Sequence, residues 1–220
     1  MAAMNNVSDL KPFKSMWKVR VKIIRLWKQY STASGETIEM VFVDYRGDKI
    51  HGTGSKIEAT LYEELEALNH ITMNEGDWFD IRNFKVMHFS GLIRLTKNRY
   101  HIVTSNSTVV VQIQPKTCSN YYCFVKFLDI ARGLAHPMYC IDLYGALVGV
   151  GELQPYHDEI YGEMRHKINF SLINLGFWRI EREEGSFKNV TNIEGMSKIV
   201  IESDIPEIMS FRMRIPPSPF

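Results

Sequence analysis

The feature that most constrains the fold is a change in the period of the hydrophobic pattern near the start of the chain. Residues 17–23 (WKVRVKI) alternate apolar and basic side chains, which predicts a strand with one buried face and one basic, solvent-facing face. A bulge is predicted where Ile23 and Ile24 are adjacent, because the alternation changes phase there. A loop at 27–35 and further strands at 37–43 and from residue 49 are predicted next.

A single helical pattern then interrupts the strands. Ile57, Leu61, Leu65 and Leu68 recur at spacings of four, four and three, which predicts one amphipathic helix that begins near Ser55. Strands are predicted again at 78–88 and 100–103, and residues 109–112 either extend the last strand or lead out of the domain. This order is typical of an oligonucleotide-binding fold (OB-fold), a five-stranded, partly open barrel; another small α+β domain is the alternative.

The second half of the chain begins a similar but shorter series. Strands are predicted at 139–150, 166–173, 177–180, 187–191 and 198–201, followed by a terminal helix at 203–211. We therefore expect an all-β protein, and the family resemblance given below implies that its two series of strands are tandem OB-fold barrels, each nominally with one helix. The expected domains are a first barrel at 1–115, a linker at 116–138 and a second, truncated barrel at 139–220.

Composition excludes several classes of protein. Hydrophobic residues make up 45% of the 220 residues, which is enough for a packed core. An apolar run of the ~18 residues that a bilayer requires is missing, so no membrane association is expected, and residues 1–14 lack the apolar core of a secretory signal. The motifs of nucleophiles and phosphate loops are also missing, so we expect neither an enzyme nor a cofactor.

Three cysteines and one histidine are the candidate ligands for a metal. Cys118, Cys123, His136 and Cys140 could be read as zinc ligands, since four residues separate the first two cysteines. However, Cys123 and Cys140 lie in apolar runs, which favours buried free thiols. No bound metal is therefore expected, and the odd number of cysteines favours a reducing compartment.

Basic residues are the strongest functional signal. Residues 11–28 contain seven basic side chains and no acidic one, although the net charge of the chain is only +1. A patch of one sign attracts polyanions, and a single nucleic-acid strand requires cations for its phosphates and aromatic faces for its bases. Ordinary solvated side chains of a half-exposed sheet are the alternative. The residues predicted to bind nucleic acid are Lys18, Arg20, Lys22, Arg25, Trp27, Lys28, Tyr30, His51, Arg94, Lys97 and Arg99.

Several segments resemble a known family, the plant-type proteins similar to the large subunit of replication protein A. Segments that resemble its first DNA-binding barrel are 16–21 (MWKVRV), 39–44 (EMVFVD), 47–51 (GDKIH), 83–86 (NFKV) and 100–102 (YHI). Segments that resemble its second are 148–153 (VGVGEL), 168–172 (INFSL) and 203–208 (SDIPEI). The resemblance implies tandem barrels that bind single-stranded DNA in replication, repair and recombination, a nuclear location, and other replication protein A-type subunits as partners. It also places Lys22 at a basic position that contacts DNA in the family.

Two departures from the family pattern matter. Residues 173–180 leave no room for the helix that the family has in its second barrel, so that barrel is expected to be incomplete. Ser55 and Ile93 stand where the family has stacking aromatic residues. Because each stacked base contributes about 1–3 kcal/mol, this loss should weaken binding.

These observations lead to one main expectation about function and one alternative. The main expectation is non-catalytic binding of single-stranded DNA, with RNA also open, through a basic OB-fold groove. The alternative is an OB-fold module for protein–protein interaction with little or no affinity for nucleic acid.

Overall fold

The computed structural model describes residues 4–14, 16–31, 35–54, 73–90, 94–136, 138–158, 162–173, 197–199 and 204–213. The chain divides into two compact units. The first comprises Met1–Cys123, Ala135–Cys140 and Val190–Lys198, and the second comprises Phe124–Leu134, Ile141–Asn189 and Ile199–Phe220. The domain limits expected from the sequence, at residues 115 and 138, remain predictions.

The first unit contains a sheet of seven described strands after a short 3-10 helix, Val7–Asp9. The strands are β1 (Lys18–Ser31), β2 (Gly35–Val43), β3 (Lys49–Gly54), β4 (Trp78–Arg82), β5 (Lys85–His88), β6 (Tyr100–Val103) and β7 (Val109–Ile113). Their order across the sheet is β5-β6-β3-β2-β1-β4-β7. The β3–β6 pair is parallel, and the other pairs are antiparallel.

This order curls the sheet into a barrel. β4 and β5 are consecutive halves of one bent strand, separated by Asn83, which has a left-handed backbone with φ of 59°. β4 pairs with β1 at one side of the sheet, and β5 pairs with β6 at the other. The five strands of an OB-fold are therefore β1, β2, β3, the bent β4–β5 and β6, as the sequence predicted.

The barrel interior is filled by alternate residues of these strands. Val19, Val21 and Ile23 of β1 are fully buried, and Met40 and Phe42 of β2 pack in the same cluster. Gly52 of β3 is required here because a Cβ atom at this position would overlap the Phe42 ring. The pattern confirms that one face of β1 is buried, and the predicted bulge is present between Ile23 and Arg25.

Some element limits differ from the sequence prediction. The loop predicted at 27–35 is wrong in its first part, because β1 continues to Ser31 in pairing with β2. Residues 109–113 form neither an extension of β6 nor an exit from the domain, but a separate strand, β7, that pairs with β4. The predicted helix that begins near Ser55 lies outside the described residues.

In the second unit, the described residues form two short helices, α1 (Phe127–Ala131) and α2 (Pro206–Arg212), and two strands, β8 (Ala146–Asp158) and β9 (Glu163–Ile173). β8 and β9 form an antiparallel pair with two register shifts. The strand expected at 139–150 therefore begins later than predicted, whereas the terminal helix agrees with the prediction. The strands predicted at 177–180 and 187–191 lie outside the described residues. In the described part of the chain, no helix is long and apolar enough to cross a membrane.

Candidate functional site

The candidate site is the side of β1, β2, β3 and β6 that points away from the barrel interior, and we call it the outer face. Its main residues alternate with core residues along each strand: Trp27 on β1, Glu39 on β2, His51 and Thr53 on β3, and His101 on β6. The registers bring them together, since Glu39 lies opposite both Trp27 and Thr53, and His51 lies opposite His101.

The structure divides the predicted basic strip at the bulge of β1. Before the bulge, Lys18, Arg20 and Lys22 lie on the part of β1 that pairs with β4. After the bulge, Trp27 lies on the part that pairs with β2 and belongs to the outer face. The predicted residues therefore lie along two differently paired parts of β1, and Lys22, which pairs with both β2 and β4, lies where the two parts meet.

The expectation of three freely projecting cations on β1 is wrong for two of them. Lys22 is buried, and its Nζ donates a hydrogen bond of 2.8 Å to the backbone oxygen of Ser119. Arg20 donates two hydrogen bonds, of 2.7 and 2.8 Å, to the carboxylate of Asp80. This hydrogen bonding raises the pKa of Arg20 above its ordinary value. Lys18 is half-buried beside Arg82 on β4.

Trp27 was expected at the edge of a loop, and the structure corrects this placement. Its side chain is only 8% exposed, because β1 continues through it and its ring is stacked on His51, with the ring centroids 6.3 Å apart. A buried indole offers little free surface to a base. Tyr30 is the aromatic residue of this region that is free to stack, since it is 74% exposed.

A hydrogen-bonded carboxylate lies at the centre of the outer face. Glu39 accepts hydrogen bonds from the hydroxyl groups of Thr37 (2.8 Å) and Thr53 (2.6 Å), and its other oxygen lies 2.7 Å from Nε2 of His51. Burial alone would raise the pKa of Glu39, but the hydrogen bonds from His51, Thr53 and Thr37 outweigh it and hold the pKa below its usual range. Glu39 is therefore ionised at neutral pH.

Aromatic rings surround His51. Phe89 lies edge-on against His51 and His101, with centroid distances of 5.4 and 5.8 Å, and the two histidine rings are 6.0 Å apart. Burial lowers the pKa of His101, and the neighbouring His51 lowers it further. The Nδ1 atoms of both histidines are buried without a hydrogen-bond partner.

Exposed cations lie on the β1–β2 hairpin and in the connection from β5 to β6. The β1–β2 hairpin carries Lys28, which forms an exposed ion pair of 3.0 Å with Glu36. The connection from β5 to β6 carries Lys97 and Arg99, both exposed, at the opposite end of β3.

The remaining predicted site residues make contacts elsewhere. Arg94 is half-buried and forms an isolated bridge with Tyr139. Arg25 forms an ion pair of 2.6 Å with Glu75. His51 is thus brought to the outer face as expected, whereas Arg25 and Arg94 are engaged by other parts of the first unit.

Sequence reasoning missed Glu39, Phe89 and His101 as members of the site. The alternation of β2 between Glu39 and Phe42 places Glu39 on the outer side, and this signal was available in the sequence. The predicted positions Ser55 and Ile93 lie outside the described residues.

The cysteines do not form a cluster that could hold a metal among the residues described. Cys118 and Cys123 are exposed and Cys140 is half-buried, so the expected burial of Cys123 is wrong.

The family described as "Domain of unknown function DUF223" matches residues 8–133. No curated protein matches this chain in sequence. A chain of a replication protein A heterotrimer bound to ssDNA is similar in structure, with 18% identity and a TM-score of 0.49 over 79% of this chain. The present chain spans 39% of the length of that chain.

Two single domains are also similar. DNA-binding domain A of replication protein A from S. cerevisiae has 14% identity and a TM-score of 0.36, and the match covers 52% of this chain and 96% of that domain. Pot1pC from Schizosaccharomyces pombe, bound to ssDNA, has 11% identity and a TM-score of 0.32, with 55% and 92% covered.

Proposed function

Since the chain belongs to the family described as domain of unknown function DUF223, which by its description has no assigned activity, we propose from the site itself that the first unit binds single-stranded nucleic acid on its outer face. In OB-folds, the face of the second and third strands and the loops at its two ends bind oligonucleotides. The outer face is the corresponding surface of this barrel.

One observation carries this proposal: two exposed cations, Lys97 and Arg99, lie at the β5–β6 end of an outer face lined with aromatic rings. Lys28 and Tyr30 are also exposed, on the side of the β1–β2 hairpin opposite to Trp27. A strand that crosses β3 would meet the half-buried ring of Phe89, which lies edge-on against the buried ring of His51. Such a surface combines charge for phosphates with flat groups for bases.

The mechanism is electrostatic capture with modest stacking. Cations that neutralise phosphates release counterions, so salt weakens binding. For each phosphate contact on a single strand, the logarithm of the binding constant falls by about 0.7 for a tenfold rise in salt concentration. With about four phosphate contacts, the slope should be near −3. We expect weak sequence preference. The exposed groups supply charges for phosphates and one aromatic ring for base faces, whereas sequence is recognised through base edges.

The proposal is tested by fluorescence anisotropy with single-stranded oligo-dT and a duplex of equal length at two salt concentrations. We compare Lys97→Ala/Arg99→Ala with the control Lys11→Ala/Lys116→Ala, which removes the same charge from exposed residues outside the outer-face strands. The first variant should bind single strands about ten- to thirtyfold more weakly and lower the salt slope by about 1.4, and the control should bind nearly as wild type. Equal losses in both variants would contradict the proposed site.

A protein-interaction module is the second candidate function, and a specific observation favours it. Arg20 and Lys22 are already bonded to Asp80 and Ser119, and Glu39 places a carboxylate at the centre of the outer face. These features weaken the attraction of a polyanion. Failure of every oligonucleotide to bind at low salt would favour this second function.

The wider biological role is also a proposal. The resemblance of segments 16–21 and 39–44 to replication protein A supports a role in DNA replication, repair or recombination, a nuclear location and association with other subunits of that type. Co-purification of the tagged protein from cells, together with fluorescence microscopy, tests these points. A tagged protein excluded from the nucleus would contradict them.

A further inference from the structure

We propose that His51, His101 and Glu39 form a proton switch in the outer face, so that its affinity for a phosphodiester strand rises as the pH falls. This inference deepens the proposed function and rests on it.

The hydrogen bond to Glu39 fixes which ring nitrogen of a neutral His51 carries the hydrogen. Glu39 is a carboxylate and can only accept, so the 2.7 Å contact requires Nε2 of His51 to carry the hydrogen. Nδ1 of a neutral His51 is then a lone-pair acceptor, and this atom is buried without a partner. It is therefore the position at which His51 takes up a proton.

His101 provides the second proton position. Its ring lies 6.0 Å from that of His51, and its Nδ1 is also buried without a partner. When both rings are neutral, the group of three side chains has a charge of −1 from the Glu39 carboxylate. After one proton on each ring, the charge of the group is +1.

This change reverses the interaction of the centre of the outer face with phosphate. A negative centre repels a polyanion that lies across β3, whereas a positive centre attracts it. Each protonated Nδ1 also becomes a donor that lacks a protein acceptor among the described residues, and a phosphate oxygen is a suitable acceptor. Phe89 covers both rings edge-on, so its ring must move when a phosphate reaches them.

Charged residues also lie on the strands next to His51 and His101. On β1, Arg25 is paired with Glu75. On β3, Lys49 lies two residues before His51, and Arg99 precedes β6. Histidine is the side chain whose ordinary pKa lies between about pH 5 and pH 8, so the change in charge is assigned to the imidazole rings.

On β5, His88 stacks edge-on against Tyr100, with centroids 5.0 Å apart, and it is exposed. It is a third histidine near β6, and its contribution must be separated from that of the pair. A variant at this position is therefore included in the test.

The experiment measures the dissociation constant of oligo-dT at about pH 7.5 and about pH 5.5, at constant salt, with a dye that does not titrate in this range. Thymine does not titrate there either. The wild-type protein should bind about tenfold more tightly at the lower pH. This is the change expected when one histidine binds its proton about tenfold more tightly in the complex than in the free protein. Far-UV circular dichroism at both pH values shows that the protein remains folded.

Three variants assign the effect. The readout is the ratio of the affinities at the two pH values, and His51→Gln/His101→Gln should lose most of this ratio whatever its affinity at the higher pH. His88→Gln, and His166→Gln in the second unit, should keep the full tenfold change. A wild-type affinity that does not change with pH, or a pH dependence that survives in the double variant, would overturn the switch while leaving the proposed function intact.

A second readout covers failure of the proposed function. If no oligonucleotide binds at either pH, the proposed function is contradicted, and NMR of the histidine ring nitrogens still tests proton uptake in the free protein. Both rings remaining neutral down to about pH 5 would overturn the switch as well. Proton uptake at both rings above that pH would support the charge reversal.

Discussion

At the scale of single residues, what the outer face can bind depends on which of its polar groups already have hydrogen-bond partners within the protein. Lys22 shows this most clearly, because its position in the sequence suggests a DNA contact and its amine is instead bonded to Ser119. An amine that is buried and bonded must lose that hydrogen bond before it can meet a phosphate. Exposed cations such as Lys97 need no such loss.

The substitution Lys22→Met tests this difference. We expect its affinity for oligo-dT to stay within about twofold of wild type, and its free energy of unfolding to fall by about 1–2 kcal/mol because a hydrogen bond from a charged group is lost. Anisotropy titration and urea unfolding measure the two effects. Lys97→Met is the control and should show the opposite pattern. A large loss of affinity in Lys22→Met would show that this amine does reach the nucleic acid.

His101 gives a second expectation at this scale, on stability as a function of pH. The folded protein lowers the pKa of this histidine, so the unfolded chain binds more protons as the pH falls below about 6.5. The contribution of His101 to the free energy of unfolding is therefore fully present above that pH. It is lost as the pH falls toward the pKa of His101 in the folded protein.

Urea unfolding at about pH 7.5 and about pH 5.5 measures this loss, and the wild type should be less stable at the lower pH. The variant His101→Gln should show a smaller loss, because it cannot take up the proton. Equal losses in the two proteins would contradict this account of His101.

At the scale of the elements, close contact between strands constrains β3. Gly52 faces the Phe42 ring on the neighbouring β2, and a methyl group there would overlap it. Gly149 on β8 provides a comparison, since a Cβ atom there would have ordinary contact with Ser171, at 4.0 Å.

Gly52→Ala should therefore lower the free energy of unfolding by about 1–3 kcal/mol through overpacking. Gly149→Ala should change it little. Thermal or urea unfolding measures both. Adding Phe42→Leu to Gly52→Ala should recover part of the loss because a smaller side chain makes room, and failure to recover would argue against the Phe42 contact as the cause.

At the scale of the whole molecule, the barrel contains all the groups that the proposed function uses. Lys28, Tyr30, Lys97, Arg99 and the Glu39–His51 pair all lie in the segment Met1–Cys123 of the first unit. The described strands of the barrel and the Ser119 contact with Lys22 lie in the same segment.

A fragment of residues 1–123 should therefore fold and bind oligo-dT within about threefold of the affinity of the full chain, with a salt slope still near −3. Circular dichroism and anisotropy measure these properties. Limited proteolysis of the full chain, with mass spectrometry of the products, tests whether the boundary lies near residue 115 or residue 123. A folded fragment that does not bind would show that other segments contribute to the interface.

The sequence by itself determined the features that depend on neighbouring residues along the chain. Alternation in residues 17–23 predicted the buried face of β1, and two adjacent apolar residues predicted its bulge. Pro206 in a first helical turn agreed with α2. These signals are local, because the hydrophobic period of a strand or helix can be recognised from consecutive residues.

Only the tertiary structure decided which polar residues meet. Glu39 and His51 are 12 positions apart, Arg20 and Asp80 are 60 apart, and Lys22 and Ser119 are 97 apart. Each of these contacts depends on strand register and barrel closure, which local periodicity does not specify. For this reason the sequence predicted the barrel and its basic character, while the closed sheet determined which cations remain exposed and placed a carboxylate and two histidines at the centre of the outer face.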